Sequence, residues 1–367
     1  MSILKIILTG FFFLLICFAL FLAYHFTSNS PVTTDEVFRA DEKAQTQRSI
    51  KNFLKVVEEN KTDYVARGAH AKGHACVKAY FDINKDISSS LQHGIFNTPG
   101  KRYKSWIRFS NGASSVKGNH DANKDARGMA IKLFNIYAQS LVKKDGDPDT
   151  QEFLMHDSPA FFTENIADYN EFVESDDKVL YFVSDPNPFK WKLRELRHGL
   201  ATLKYPPVSP LWNQYFSNTA YKLGPHNIKF SAQSCTLPQA NPEQEQTDPD
   251  FLRKKMRDEL MNSEACFNFM VQLQDPDKYM PIEDPSIEWE TSDSPFITIA
   301  TITITVQEFD TADQQAFCEN LSFSPWHSLE AHRPIGQLNR IRKEVYAASS
   351  KYRHSENKTA IPTNLAW

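Results

Sequence analysis

The chain has 367 residues, with 41 Lys and Arg against 45 Asp and Glu, for a formal net charge of −4. Neutralising nucleic-acid phosphates needs a basic surface, so this balance argues against a nucleic-acid partner. Beyond an apolar N-terminal segment about 335 residues remain, enough for one large domain or two ordinary ones. The 27 Phe residues suit either a large apolar pocket or a Phe-filled core, and composition does not separate these.

Residues 6–26 read IILTGFFFLLICFALFLAYHF. These roughly 21 nearly uncharged residues are enough to cross a ~30 Å hydrocarbon core as a helix. Lys5 precedes them and the following stretch is not strongly basic, which predicts the N-terminus in the cytoplasm and the main domain outside it, on the periplasmic or extracellular side. No A-x-A-like site is present and the run exceeds a usual signal h-region, so the segment reads as an uncleaved membrane anchor, with a cleaved signal as its rival. The predicted plan is an anchor over residues 1–30, a polar stalk over 31–50 and one domain over 51–367.

A short helix is expected over Lys51–Asn60. Alternating or apolar runs then predict strands over 74–83, 105–110, 128–136 and 152–158, with an exposed Gly/Asn/Asp/Ser-rich loop over 111–124. Residues 165–203 are mainly helical in pattern, and a Pro-rich interval covers 205–211. Strands follow at 227–235 and 267–274, separated by a polar loop over 240–250 and a helix over 251–261. The strictest alternation is FITIATITITVQEF, residues 296–309. A last helix is expected from near Pro334 to Arg353-His354. Strands followed by helices, without an internal repeat, predict one α+β domain around a closed or nearly closed antiparallel sheet. Cys76, Cys235, Cys266 and Cys318 lie in the exported part and Cys17 in the apolar segment. The four allow two disulfides in three connectivities, and buried free thiols are equally consistent. No C-x-x-C spacing suggests zinc.

The last helix carries Arg342, Tyr346 and Arg353. Offsets of 0, 4 and 11 residues fall within about 40° of one helix face. A phenol ionises near pH 10 and is a poor metal ligand at neutral pH, but a guanidinium one turn away favours the phenolate. Alone, the pattern also describes an ordinary amphipathic surface helix.

With four upstream segments in order, the pattern resembles the haem catalases, and the chain is similar to the small catalase-like peroxidase branch. Arg67-Gly68-Ala69-His70-Ala71-Lys72-Gly73 resembles the family's R-x-x-H-A-x-G, and Arg108-Phe109-Ser110 its R-F-S. Asp125–Lys132 resembles D-P-R-G-F-A-V-K, Ser158–Phe162 resembles T-P-x-F-F, and Phe323-Ser324-Pro325 matches F-S-P. The resemblance covers residues 65–353 and is thinner from about 185 to 285. It implies a catalase-like closed antiparallel β-barrel with surrounding helices, holding haem b. It implies His70 as the catalytic base with Ser110 orienting it, and Tyr346 as the iron ligand tuned by Arg342. Arg67, Arg108 and Arg353 would meet the haem propionates, and Phe161 and Phe162 would wall the pocket. Nothing but the motif register prefers His70 to His74. The family's Asn, three residues before the motif Pro, is His156 here, followed by Asp157. An ionised carboxylate cannot donate a hydrogen bond, so peroxide positioning departs from the family.

The resulting expectation is a membrane-anchored haem peroxidase or catalase-like enzyme. Its substrate would be hydrogen peroxide or an organic hydroperoxide, with an electron donor the sequence does not identify and room for homo-oligomers. Rearrangement of a lipid hydroperoxide and non-catalytic haem binding are the alternatives.

Overall fold

The structure is a computed structural model that describes residues 3–27, 30–136, 138, 140–142, 149–204, 208–236 and 248–367. Parts of the expected anchor, Pro-rich interval and polar loop (1–2, 28–29, 205–207 and 240–247) lie outside the described residues.

Nine strands are present among the described residues: β1 (Gly73–Ile83), β2 (Arg102–Asn111), β3 (Arg127–Phe134), β4 (Thr150–His156), β5 (Gln214–Phe216), β6 (Tyr221–Leu223), β7 (His226–Ser234), β8 (Ala265–Leu273) and β9 (Ile297–Ile304). They form one sheet in the order β5-β4-β3-β2-β1-β9-β8-β7-β6, and β5 also pairs with β7. Eight strands therefore close into an antiparallel barrel, with β6 continuing along the edge of β7. Closure leaves no long unpaired edge.

The barrel interior settles what the Phe residues do. Phe81, Phe153, Phe230 and Phe269 are buried inside it, with ring centroids 4.7 Å apart for Phe153–Phe269 and 5.2 Å for Phe153–Phe230. Burying each such ring contributes roughly 1.5–3 kcal/mol, so the barrel is a packed core and the site lies outside it.

The helices are α1 (Ile3–Phe26), α2 (Glu42–Glu59), α3 (Ile166–Glu174), α4 (Leu193–Thr202), α5 (Phe251–Leu260), α6 (Ala312–Asn320) and α7 (Gln337–Asn357). Several expected boundaries move. β9 stops at Ile304 because the Gln307 side chain takes over the ladder: its amide accepts from Lys78 N and donates to Lys78 O, both at 2.8 Å. α7 begins at Gln337, not Pro334. Gly336 has φ +87°, and a Cβ there would stand 2.4 Å from Ile282 O. The helix runs to Asn357 and ends on Lys358 in the left-handed region.

The largest correction concerns the expected stalk. α2 starts inside it, at Glu42, and packs on α3 and α7. The residues before it lie along the domain. Asn227 Nδ2 donates to Thr34 O and Gln274 Nε2 to Thr33 O. Glu36 accepts from Arg333, from Arg340 and from the Gly336 N–H at the start of α7. Arg340 also binds Glu42 and Glu283. Two carboxylates, Glu36 and Glu283, thus sit at the α7 N-terminus, where the helix presents unpaired N–H groups.

One disulfide, Cys235–Cys266, joins the end of β7 to the start of β8. Cys76 and Cys318 are buried thiols whose side chains lie within hydrogen-bonding reach of each other.

Candidate active site

A cavity of about 510 Å³ lies between the outer faces of β2–β4 and helices α2, α3 and α7. Helix α7 lines it with Leu338, Ile341, Arg342, Val345, Tyr346, Ser349 and Arg353, the repeat that one face of a 3.6-residue helix provides. Arg342 donates to the Tyr346 hydroxyl at 3.1 Å and to Asn339 Oδ1 at 3.1 Å. Burial opposes its charge, but Tyr346 and Tyr221 together hold its pKa above the usual arginine value.

The loop before β1 contributes His70, whose backbone is in the left-handed region at φ 53°. Its N–H donates to Gly112 O at 3.0 Å, and its carbonyl accepts from Arg108 Nη2 at 2.8 Å. A non-glycine residue held this way marks a backbone over-determined by its surroundings. The imidazole Nδ1 is 3.2 Å from Ser110 Oγ, leaving Nε2 as the ring nitrogen available to a substrate. Burial, with Arg108 and Arg342 nearby, lowers its pKa to about 4, so the ring is a neutral base at pH 7. His74 does not line this cavity. It is buried, with Nε2 2.9 Å from Asn111 Oδ1 and Nδ1 3.7 Å from Asp121.

Arg67, Arg108 and Arg353 converge at one end of the cavity. Arg67 pairs with Glu319 at 2.7 Å, Arg108 lies 3.7 Å from the same carboxylate, and Arg353 donates to Glu319 O at 2.5 Å. Three guanidinium groups thus gather on Glu319, two at its partly exposed carboxylate and one at its backbone carbonyl. Burial and then Arg67 lower the pKa of Arg108 and bring that of Arg353 down to about 9. The Nε of Arg108 is buried without a partner among the described residues. Buried positive charge in excess is costly unless an anion completes it. The two carboxylates of a haem fit that excess, and one phenol oxygen at Tyr346 fits a metal held mainly by a macrocycle. Among the described residues, no group of three or more His, Cys, Asp or Glu could hold a metal ion instead.

Two expectations change here. Phe161 lines the cavity, but Phe162 packs behind it against Phe172, with centroids 4.8 Å apart. Asp157 points away from the cavity, accepting from Arg127 N at 2.8 Å and from Asn213 Nδ2 at 3.3 Å. His156 therefore takes the departing position alone. Burial, together with the neighbouring His70, lowers its pKa to about 3, and its buried Nδ1 has no partner among the described residues. Sequence reasoning missed Asn218, whose side chain reaches His156, and Glu319 on the arginines. Asn218 has φ 55° on a short turn between β5 and β6, with no local motif to flag it. The acid inside an otherwise all-basic set was the signal available for Glu319.

The catalase family model matches residues 36–178. The chain is 23% identical over 326 residues to a peroxisomal catalase of Toxoplasma gondii, covering 82% of this chain and 61% of the relative. A catalase of Streptomyces coelicolor is 31% identical over 110 residues, covering 30% of this chain and 19% of that one. Among solved structures, a fungal catalase superposes with a TM-score of 0.64 at 18% identity, covering 92% of this chain and 68% of the other. The chain spans about three fifths of the length of the Toxoplasma relative.

Proposed function

We propose that this chain is a member of the catalase superfamily and a haem-dependent peroxidase or catalase-like enzyme that consumes hydrogen peroxide or organic hydroperoxides, a reading supported by the family match over residues 36–178 and by the catalase-like fold. The observation that carries the reading is one cavity lined by a neutral His70 on Ser110, an Arg342–Tyr346 pair and a triple-arginine cluster with only one carboxylate against it among the described residues. Tyr346 Oη would ligate the iron of haem b, with Arg342 donating to the same oxygen. Arg67, Arg108 and Arg353 would bind the propionates. When bound, the haem supplies the redox chemistry of O–O cleavage. His70 Nε2 would take the proton from the attacking peroxide oxygen and return it to the departing one. Ser110 holds the ring on Nδ1, and Phe161 walls the pocket. The test is the absorption spectrum of the purified protein before and after peroxide, compared with Tyr346→Phe. Loss of haem or a shifted Soret band is expected in the variant. An unchanged spectrum would refute the ligand assignment, and haem without peroxide turnover in the native chain would leave a haem-binding protein.

His156 favours peroxidation over disproportionation. Its unpartnered Nδ1 sits where the family carries an amide, so the geometry that presents a second peroxide is altered. His156→Asn should raise oxygen evolution relative to donor oxidation, measured by electrode and absorbance. Vigorous oxygen release by the native chain, unaffected by the change, would contradict this. We place the domain outside the cytoplasm behind an α1 anchor, because disulfides such as Cys235–Cys266 persist in oxidising compartments. An electron donor and a second copy of the chain are the remaining proposed partners.

A further inference from the structure

The segment from Lys178 to Lys204 has a surface that the reaction does not use. Val179, Leu180, Phe189, Leu200 and Leu203 are between 50% and 61% exposed. Large apolar side chains this open, on one segment, mark an interaction surface. Their orientation is fixed from behind. Phe182 is buried, 3.6 Å from where a Cβ on Gly199 of α4 would lie, and Lys192 N donates to Phe182 O at 2.8 Å.

The C-terminal end of the apolar α1 is seated on this same surface. Phe21 and Tyr24 meet the Phe189 ring at 5.5 and 5.7 Å, and Phe21 meets Trp191 at 6.5 Å. The Arg197 guanidinium lies over Phe26 at 5.7 Å. Tyr and Trp at the end of an apolar helix are the side chains that settle at the lipid headgroup level. Of the six Lys and Arg in residues 178–204, Arg194 is buried on carboxylates and Lys192 is paired with Asp168, while Lys178, Lys190, Arg197 and Lys204 are exposed, with Asp176 and Asp177 immediately before them. Apolar side chains among cations suit an interfacial surface facing anionic lipid.

We propose that residues 178–204 form a membrane-seated platform, inserted into the headgroup layer of the bilayer that α1 crosses. The inference rests on the anchor reading of α1. It also places an edge of the active-site cavity, lined by Phe172, Val173 and Lys178, beside that layer. Amphiphilic hydroperoxides would then reach the cavity from the bilayer side.

The test uses the full chain, with Cys17→Ser as background, in vesicles of phosphatidylcholine and phosphatidylglycerol. A polarity-sensitive probe is attached at Leu180→Cys, at Leu200→Cys and, as control, at Met261→Cys beyond α5. Co-flotation is scored first. Floating vesicles whose lipid-borne nitroxide quenches the probes at 180 and 200 several-fold more than that at 261 support the platform. Flotation with all three probes equally open to aqueous iodide overturns the platform and leaves the anchor. Failure to float overturns both.

Discussion

Gly128 is the residue against which His70 rests. A Cβ at position 128 would stand 2.5 Å from His70 Nδ1 and 2.9 Å from Ser110 Oγ. Gly128→Ala should therefore displace the imidazole, lowering peroxide reactivity about 10²-fold while haem absorbance and far-UV circular dichroism stay near native. His70→Ala should retain haem and lose reactivity by roughly 10²–10⁴-fold in single-turnover mixing with peroxide. His74→Ala should leave reactivity close to native and lower the melting temperature, because it strips Asn111 of a buried partner. The sequence singled out His70, Ser110, Tyr346 and the arginines, which the structure brings to one cavity, because each stands in a short motif with fixed spacing. Asn218 and Glu319 were invisible because their relevance comes from contacts across 62 and 252 residues of chain, which no local pattern encodes.

Long strands and amphipathic helices were legible at the level of elements, since their periods persist over seven or more residues. The three-residue strands β5 and β6 were not, although β5 closes the barrel. Nor was the docking of residues 30–41, whose polar composition resembles a free linker until Arg333 and Arg340 are seen to receive Glu36. The proposed anchor and this strap are separable. Deleting residues 1–30 should yield a soluble domain that binds haem. Deleting 1–50 should also remove Glu36 and Glu42 from Arg340, whose side chain is only 10% exposed. Breaking a largely buried ion-pair network by removing one side costs on the order of 3 kcal/mol. The longer deletion should therefore melt well below the shorter one by calorimetry.

Across the whole molecule, acid acts through two sets of buried groups. Burial lowers the pKa of His70 to about 4 and those of His156 and His332 to about 3. The unfolded chain binds protons at these positions first, so stability declines as pH falls from about 6.5 towards those values. Glu152 is buried and Glu36 and Glu319 are partly buried, which raises their pKa, but arginine, lysine and histidine partners bring each below the ordinary glutamate value. Their stabilisation is complete above about pH 4.5 and is lost as pH drops through the depressed values. Melting temperature against pH should therefore begin to fall near 6.5 and steepen below 4.5. A flat profile from 7 to 5 would mean the histidines are solvated. Reactivity that depends on neutral His70 should hold down to about pH 4 wherever the fold survives. The strap has a further, mechanical meaning. Glu36 accepts from the first turn of α7, and Tyr346 lies nine residues, about 14 Å, along that helix. A pull on α1 would run through residues 30–41 into the rod that carries the proposed iron ligand. If α1 is the proposed membrane anchor and the cavity holds the proposed haem, attachment and cofactor geometry are links in series, and lateral tension on one end would be felt as strain at the other.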